Sequence, residues 1–235
     1  EGGGGVGLFF EFDLFQTLAM PALEFISCGG APGDAGGSYA VGIDLAGDDP
    51  RHTGRTDYTA IAVVRCAETR KTLVDLHAWQ GKDWERQFEA ILRILRGLPG
   101  RVQAVVDATG MGDPFSDRLQ KALQGSAIAI ERLKLTGPEK SAVGLYAEQE
   151  IAGGRVAYAA GPRTRSEGLL DSFLHQVRWL AREPLLNKGV RWQVPVEKGH
   201  DDLVCAFFLA LWASRRTAVR RTALGELILV SDTAY

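Results

Sequence analysis

Residues 39–45 read Tyr-Ala-Val-Gly-Ile-Asp-Leu, an apolar and β-prone stretch that one carboxylate, Asp44, interrupts near its end. Asp is depleted from strands, and burying a lone carboxylate is costly because desolvation opposes its charged form. The stretch therefore predicts a strand that ends on a carboxylate with a role beyond packing. The rest of the sequence decides what that role is.

Two more predicted strands, at 59–66 and 72–79, follow the first without an intervening helix, which indicates an antiparallel meander. The spacing of apolar residues predicts that helices and strands alternate from there on. Helices are predicted at 84–95, 113–123, 138–151, 166–180 and 201–214, and strands at 102–106, 128–133 and 191–196. The order βββ-α-β-α-β-α predicts an α/β fold. Its mixed sheet combines the meander with parallel strands and carries helices on both faces.

The composition is that of a globular protein and excludes several classes. Of 235 residues, 46% are apolar and 24% charged, and 27 basic against 29 acidic residues give a net charge of −2. Bulk charge therefore does not indicate a nucleic-acid binder. The sequence contains no apolar run of about twenty residues, so no membrane span is predicted. Three distant cysteines and four scattered histidines argue against a disulfide framework and a structural zinc site.

The two ends of the chain differ in composition from its middle. Glycines at 2–5 and a Gly-, Ala- and Pro-rich run at 28–37 look like flexible linkers, and they enclose a Phe-rich piece at 8–26. That piece is too apolar to stay exposed, so we expect it to pack on something, such as a partner outside this chain. Since the first residue is Glu1, we expect an internal fragment or a processed form. One domain is predicted at 38–216, followed by a tail at 217–235.

Further carboxylates stand at the ends of other predicted elements. Asp107 ends the strand at 102–106, and Asp201 and Asp202 open the helix at 201–214. Each alone has a structural interpretation, because Asp is a favoured helix cap and turn residue. If the first and fourth strands are neighbours, Asp44 and Asp107 lie side by side, and a helix packed on the sheet brings Asp201 or Asp202 to the same point.

Clustered carboxylates repel one another unless cations lie between them. A set of carboxylates alone suits Mg²⁺ or Mn²⁺, whereas zinc would normally bring His or Cys. Two such ions about 3.5–4 Å apart are the standard arrangement for in-line attack on a phosphodiester. One ion activates the water and the other stabilises the leaving oxygen.

Three segments resemble the nuclease domain of the large terminase subunit of tailed bacteriophages, in the RNase H-like superfamily. They are residues 42–46 with 57–63, residues 105–114, and residues 199–206, and the resemblance covers roughly 39–214. The His-Asp-Asp-Leu-Val sequence at 200–204 is the most specific part. One departure is Cys205, which stands where such chains often carry a further Asp. A cysteine on the apolar face of this helix is interpreted as core packing.

The resemblance implies a metal-dependent endonuclease that cleaves double-stranded viral DNA during genome packaging, with two Mg²⁺ or Mn²⁺ ions. Asp44, Asp107, Asp201 and Asp202 would be the catalytic and metal-binding residues, with Asp201 slightly favoured over Asp202. Implied partners are double-stranded DNA, an ATPase motor domain on the N-terminal side, the small terminase subunit and the portal, without a membrane. The implied location is the cytoplasm of the bacterial host.

The same resemblance makes residues 1–37 a linker or the C-terminal remnant of the ATPase domain. No Gly-x-x-x-x-Gly-Lys-Ser/Thr motif is present, because the Lys-Ser pair at 140–141 follows Glu139 rather than glycine. We therefore expect this chain to cut DNA without hydrolysing ATP.

Six further residues are candidates for assisting roles. His200 adjoins the carboxylate pair and is a candidate for proton transfer or phosphate contact. Lys140 follows a predicted strand and is a candidate for contacting the DNA backbone or stabilising the transition state. The loop arginines that could contact phosphate are Arg51, Arg55, Arg163 and Arg165. For each of the six, an ordinary solvated or structural side chain is the alternative.

Other functions stay open at this point. One is a different RNase H-like nuclease, such as a Holliday-junction resolvase, a transposase or an exonuclease. Another is a catalytically silent docking domain of a packaging motor. A nucleotide-binding enzyme of the actin-like fold shares the early strand-Asp pattern but needs Gly-rich phosphate loops, which the sequence lacks. A dinucleotide site is disfavoured because Gly110 and Gly112 are followed by Phe115 rather than a third glycine.

Overall fold

A computed structural model describes residues 6–28, 37–46, 58–81, 83–109, 112–186, 189–217, 220–221 and 227–228. In chain order its strands and α-helices are β1 (Gly7–Leu8), α1 (Phe12–Gln16), β2 (Ala19–Met20), β3 (Ser38–Asp44), β4 (Tyr58–Cys66), β5 (Lys71–Gln80), α2 (Trp84–Gly97), β6 (Arg101–Asp107), α3 (Gly112–Ala122), β7 (Ile128–Leu133), α4 (Gly137–Ala152), β8 (Val156–Ala159), α5 (Pro162–Ser166), α6 (Leu169–Trp179), β9 (Ala181–Pro184), β10 (Val190–Gln193), α7 (Asp202–Ala213), β11 (Arg220–Arg221) and β12 (Leu227–Ile228). None of the described helices is long and apolar enough to cross a membrane.

The central sheet has seven strands in the order β2-β8-β5-β4-β3-β6-β7. β3, β4 and β5 form the predicted antiparallel meander, and β6 and β7 continue the sheet in parallel. β3 and β6 are neighbours whose register pairs Ile43 with Val106. Asp44 and Asp107 are therefore the next residues on two adjacent parallel strands, as the sequence predicts.

Helices cover both faces of this sheet, and the alternation of side chains along β3 assigns each residue to a face. Tyr39, Val41 and Ile43 pack into a core with α2 and α3, whereas Ala40 packs into the second core with α4, α6 and α7. Since side chains alternate along a strand, Asp44 shares the face of Ala40, which is the face that α7 covers. By the same alternation, Asp107 shares the α7 face with Val105.

Gly42 allows α7 to approach β3 at backbone distance. A Cβ atom at this position would lie 1.9 Å from the Ala206 carbonyl oxygen and 2.5 Å from the Ala210 nitrogen. Only glycine leaves room for that approach. α7 is also apolar almost all round and its residues from Leu203 onward are nearly all buried, as is typical of a central core helix.

The described part of the N-terminal segment, residues 6–28, packs on the domain itself. β2 adds an edge strand to the sheet beside β8, and β1 pairs with β9. Phe9, Phe15 and Phe25 are buried in the core that contains α7, and the Phe15 ring stacks on Tyr158 with centroids 5.5 Å apart. The sequence analysis predicts that the domain begins at residue 38. Residues 6–28 nevertheless pack on the domain, through contacts between residues that are far apart in the chain.

Two further details differ from the predicted elements. The predicted helix at 166–180 is confirmed as α6 but begins only at Leu169, and the short helix α5 precedes it. Gly168 separates the two helices, and its φ of 77° lies in the left-handed region that glycine tolerates. The strands β8 and β9 were not predicted, because each has four residues and neither shows a clear alternation. The helix α6 lines the surface next to the carboxylates.

Candidate metal centre

Four carboxylates from three elements meet at the edge of the sheet where β3 and β6 end. Asp44 and Asp107 are the last residues of those strands, and Asp201 and Asp202 stand at the beginning of α7. The charges of Asp202, Asp107 and Asp201 all raise the pKa of Asp44, so these carboxylates lie close to it. The edge of the sheet and the N-terminus of the central helix therefore bring together all four acidic residues singled out from the sequence.

The two aspartates of α7 differ in their surroundings. Asp201 occupies the N-cap position, but its side chain makes no capping hydrogen bond and instead lies 3.7 Å from the Lys140 ammonium. Asp202 Oδ2 accepts a hydrogen bond of 3.3 Å from the Tyr58 N–H and lies 3.6 Å from His200 Nδ1. Asp201 thus faces the β6 side of the cluster and Asp202 the β4 side. The interpretation of Asp201 as a simple helix cap is wrong.

Asp107 combines the turn role and the cluster position. Its Oδ1 accepts hydrogen bonds from the Thr109 N–H at 2.9 Å and the Thr109 hydroxyl at 2.7 Å. The Leu135 N–H approaches the same oxygen at 3.4 Å. One carboxylate oxygen is therefore fixed by the loop that follows β6, which sets the orientation of the whole group.

Burial under α7 raises the pKa of Asp44 well above its usual range, and the charges of Asp202 and Asp107 raise it further. Such crowding of carboxylates is costly in the absence of cations. Lys140 supplies one cation: although burial opposes its charge, Asp201 and the neighbouring acidic groups raise the pKa of Lys140. Lys140 therefore stays an ammonium ion beside the cluster.

Trp192 fixes Lys140 at both ends of the lysine. The indole N–H donates a hydrogen bond of 2.7 Å to the Lys140 carbonyl, and the ammonium lies 4.4 Å from the centroid of the indole ring. The ring itself is buried against Gly144. No pattern in the sequence indicates this role, because a single tryptophan in a short strand is indistinguishable from an ordinary core residue.

Cys205 is buried as expected, but it is more than a packing residue. Its thiol donates a hydrogen bond to the Asp44 carboxylate. Burial, together with the charge of Asp44, raises the pKa of the Cys205 thiol well above its usual range, so the group remains a protonated donor. The expectation of core packing is confirmed, and from the first turns of α7 the Cys205 side chain also interacts with Asp44 on β3.

Among the remaining candidates that the structure describes, Arg163 and Arg165 lie apart from this cluster. Arg51 and Arg55 lie outside the described residues. The Arg163 side chain lies 4.0 Å from Glu24, and Arg165 donates a hydrogen bond to the Ala160 carbonyl. Both arginines are on α5, and their partners lie in the N-terminal segment and just after β8, which is separated from β3 by β5 and β4.

The donor set fits a hard divalent cation, since four carboxylates are the oxygen ligands that Mg²⁺ and Mn²⁺ prefer. Within the described part of the chain, no three His, Cys, Asp or Glu side chains already form a group that could hold a metal ion. Other contacts engage two of the carboxylates: Asp107 accepts a hydrogen bond from Thr109, and Asp201 forms an ion pair with Lys140. Binding a cation jointly requires these carboxylates to turn toward Asp44.

The mixed sheet with its acidic edge and covering helix is an RNase H-like fold, and nuclease domains of large terminases have the same architecture. The large terminase nuclease of thermophilic phage G20c with bound magnesium matches 75% of this chain and 81% of its own, with 20% identity and a TM-score of 0.55. The HK97 bacteriophage large terminase matches 89% of this chain but 44% of its own, with 13% identity and a TM-score of 0.62. A variant nuclease domain of the large terminase subunit of bacterial virus Sf6, with manganese, matches 87% and 98%, with 13% identity and a TM-score of 0.56.

At these identities the likeness concerns the fold. Neither a comparison with protein-family models nor one with curated proteins gives a match.

Proposed function

We propose that this chain is the nuclease domain of a phage or prophage large terminase and cleaves double-stranded DNA during genome packaging. The observation that carries the proposal is the meeting of Asp44, Asp107, Asp201 and Asp202 at one edge of an RNase H-like sheet. The structural neighbours support it, since two of them are large terminase nucleases, one with bound magnesium and one with manganese. A DNA-packaging role also supplies a reason for so many carboxylates in one place.

The carboxylates would hold Mg²⁺ or Mn²⁺, with Asp44 in the centre and Asp107 and Asp201 or Asp202 on either side. Bound cations of this kind act as Lewis acids and lower the pKa of a coordinated water. Asp107, whose Oδ1 accepts hydrogen bonds from Thr109, would offer its other carboxylate oxygen to the cation. The Cys205 thiol lies next to Asp44 and lowers its pKa, which favours the charged form that a cation needs.

Lys140 supplies positive charge where the phosphate would develop negative charge. Its ammonium lies beside Asp201 and is held by Trp192, so it is already oriented before substrate arrives. Such preorganised charge stabilises a transition state without reorganisation during the reaction. His200, next to Asp202, is in position to transfer a proton near the phosphate.

The proposal extends to the rest of the terminase. More than half of the HK97 large terminase lies outside the part that this chain matches. We propose that residues 1–37 lead toward an ATPase motor domain there and that the small subunit and the portal are partners of the whole assembly. The segment 6–28 then belongs physically to the nuclease domain.

Plasmid cleavage in Mg²⁺ or Mn²⁺ tests the function. Asp44→Asn and Asp107→Asn should each lower cleavage by at least about 100-fold, because each removes a charged ligand. Asp117→Asn is the matched control: Asp117 is 53% exposed in a surface ion pair with Arg132, and its loss should leave cleavage unchanged. Circular dichroism verifies the fold of each variant. Wild-type rates in the Asp44 and Asp107 variants would refute the site, and no cleavage by the wild type would refute the function.

A further inference from the structure

A groove opens beside Asp202, on the side of the cluster away from Lys140. Its volume is about 540 Å³, within the range of roughly 300–1,000 Å³ that is typical of sites for small organic groups. Tyr58 at the start of β4 and Asp202 at the start of α7 form one wall, and His175 on α6 forms the other. The groove is therefore contiguous with the proposed catalytic edge.

The groove has an aromatic wall. The Tyr58 and His200 rings meet edge to face, with centroids 5.3 Å apart and planes at 82°. The opposite wall is held in place, since His175 Nε2–H donates a hydrogen bond of 2.9 Å to the Lys198 carbonyl. Flat aromatic groups at the wall of a preformed groove favour a planar ligand that stacks, and every nucleobase offers such a face.

The charges of the groove separate a base from a phosphate. Among its described lining residues there is no Lys or Arg, whereas Asp171 and Asp202 are both present. Two carboxylates would repel a phosphate, but they accept hydrogen bonds from the amino and ring N–H groups of a base. Ser172 and Gln176, on the same helix as Asp171, add a hydroxyl and an amide to the wall.

A second depression, of about 310 Å³, continues from the groove and shares Asp171 and His175 with it. Its walls carry Arg165 and Arg178, and the Arg178 guanidinium lies 4.3 Å from the centroid of the Phe12 ring. Arginine binds phosphate through a planar fork of N–H donors. The surface is therefore complementary to one nucleotide. The neutral-to-acidic groove suits a base, and the pair of arginines suits the next phosphate.

We propose that the groove at Tyr58 receives one unpaired nucleobase of the strand that is cut, and that Arg165 and Arg178 bind the phosphate beyond it. The inference rests on the proposed nuclease function and specifies how the substrate lies. A base can enter the groove only after it leaves its partner, so the duplex opens locally at the cutting site. Tyr58 then acts as a positioning residue for the strand.

Binding of short oligonucleotides to the metal-free chain tests the inference without catalysis. A fluorescently labelled dT12 and an abasic 12-mer of the same backbone length are titrated with wild type, Tyr58→Ala and Tyr58→Phe. Wild type and Tyr58→Phe should bind dT12 about 10-fold more tightly than the abasic strand, since both keep the stacking ring. Tyr58→Ala should bind the two strands equally. Ser172→Leu, at an exposed position on the groove wall, should also lose the preference by filling the space.

Arg178→Ala tests the phosphate contact separately. It should weaken binding of both strands equally and reduce the slope of log affinity against log salt by about 0.7. A Tyr58→Ala chain that still prefers dT12 to the same degree as wild type would overturn the proposal, as would a wild type that binds both strands equally or binds neither. Plasmid cleavage by the wild type is measured in parallel. Cleavage with no base preference in binding refutes only the groove, whereas base preference without cleavage refutes the nuclease function.

Discussion

Replacing Gly42 by alanine should disturb the candidate site without touching any of its charges. Gly42 lies two residues before Asp44, and its backbone is covered by α7 four residues after Asp202. The new Cβ would lie 1.9 Å from the Ala206 carbonyl oxygen, whereas an ordinary contact begins at 3.4 Å, so β3 and α7 must separate by about 1.5 Å. The obstacle is helix backbone and cannot rotate aside.

The expected cost is large in both stability and activity. Overpacking of a core typically costs about 1–3 kcal/mol, and we expect Gly42→Ala at or above the upper end because no side chain can move to relieve it. The shift also carries Asp201 and Asp202 away from Asp44. Since a misplacement of about 1 Å can cost about 100-fold in rate, cleavage by the folded fraction should fall by about that factor.

Urea denaturation and plasmid cleavage measure the two effects. Gly97→Ala is the matched control, because a Cβ there meets nothing within 4 Å. It should be neutral or stabilise the helix by up to about 1 kcal/mol. The reasoning is refuted if Gly42→Ala unfolds within about 0.5 kcal/mol of the wild type and cuts DNA at the wild-type rate.

Three other substitutions test separate contacts. Trp192→Leu should slow cleavage more than Trp192→Phe, because Phe keeps an aromatic face under the Lys140 ammonium; equal rates in a cleavage time course would contradict this. Glu150→Gln should cost about 1–3 kcal/mol in thermal or urea unfolding, because it leaves the nearly buried Lys71 ammonium, 2.6 Å away, without its counter-charge. Burial alone would raise the pKa of Glu150, but hydrogen bonds from Arg155 and Lys71 lower it. The stabilisation that ionised Glu150 provides is therefore fully present above the ordinary glutamate pKa. This stabilisation is lost as the pH falls through the lowered pKa of Glu150, and the difference in unfolding free energy between wild type and Glu150→Gln should shrink there. Phe15→Ala should cost about 3–5 kcal/mol if residues 6–28 are part of the domain, and a change below about 0.5 kcal/mol would show that they are not.

The arrangement of the carboxylates was predictable because it follows from alternation and sheet order. β3 ends on Asp44 and β6 ends on Asp107. Their acidic ends meet if the two strands are parallel neighbours. That adjacency is confirmed. The apolar helix that begins at Asp202 buries its surface against those same strands and against α4 and α6.

The parts that sequence reasoning missed depend on contacts between distant residues. The two-residue strand β2 and the four-residue strand β8 pair with each other across more than a hundred residues, and neither is long enough to show a period. The thiol of Cys205 interacts with Asp44 only because the fold brings α7 next to β3. The side-chain pairing of Trp192 with Lys140 likewise follows from the packing of β10 on α4, which no local pattern reveals.

The central claim is that the carboxylates around Asp44 jointly bind the cation that supports DNA cleavage. A crystal soaked in Mn²⁺ and measured at the manganese absorption edge tests this most directly. Anomalous density should appear in contact with Asp44, Asp107 and at least one of Asp201 and Asp202, and should be absent there in Asp44→Asn. Manganese bound elsewhere on the chain, with that position empty in the wild type, would contradict it.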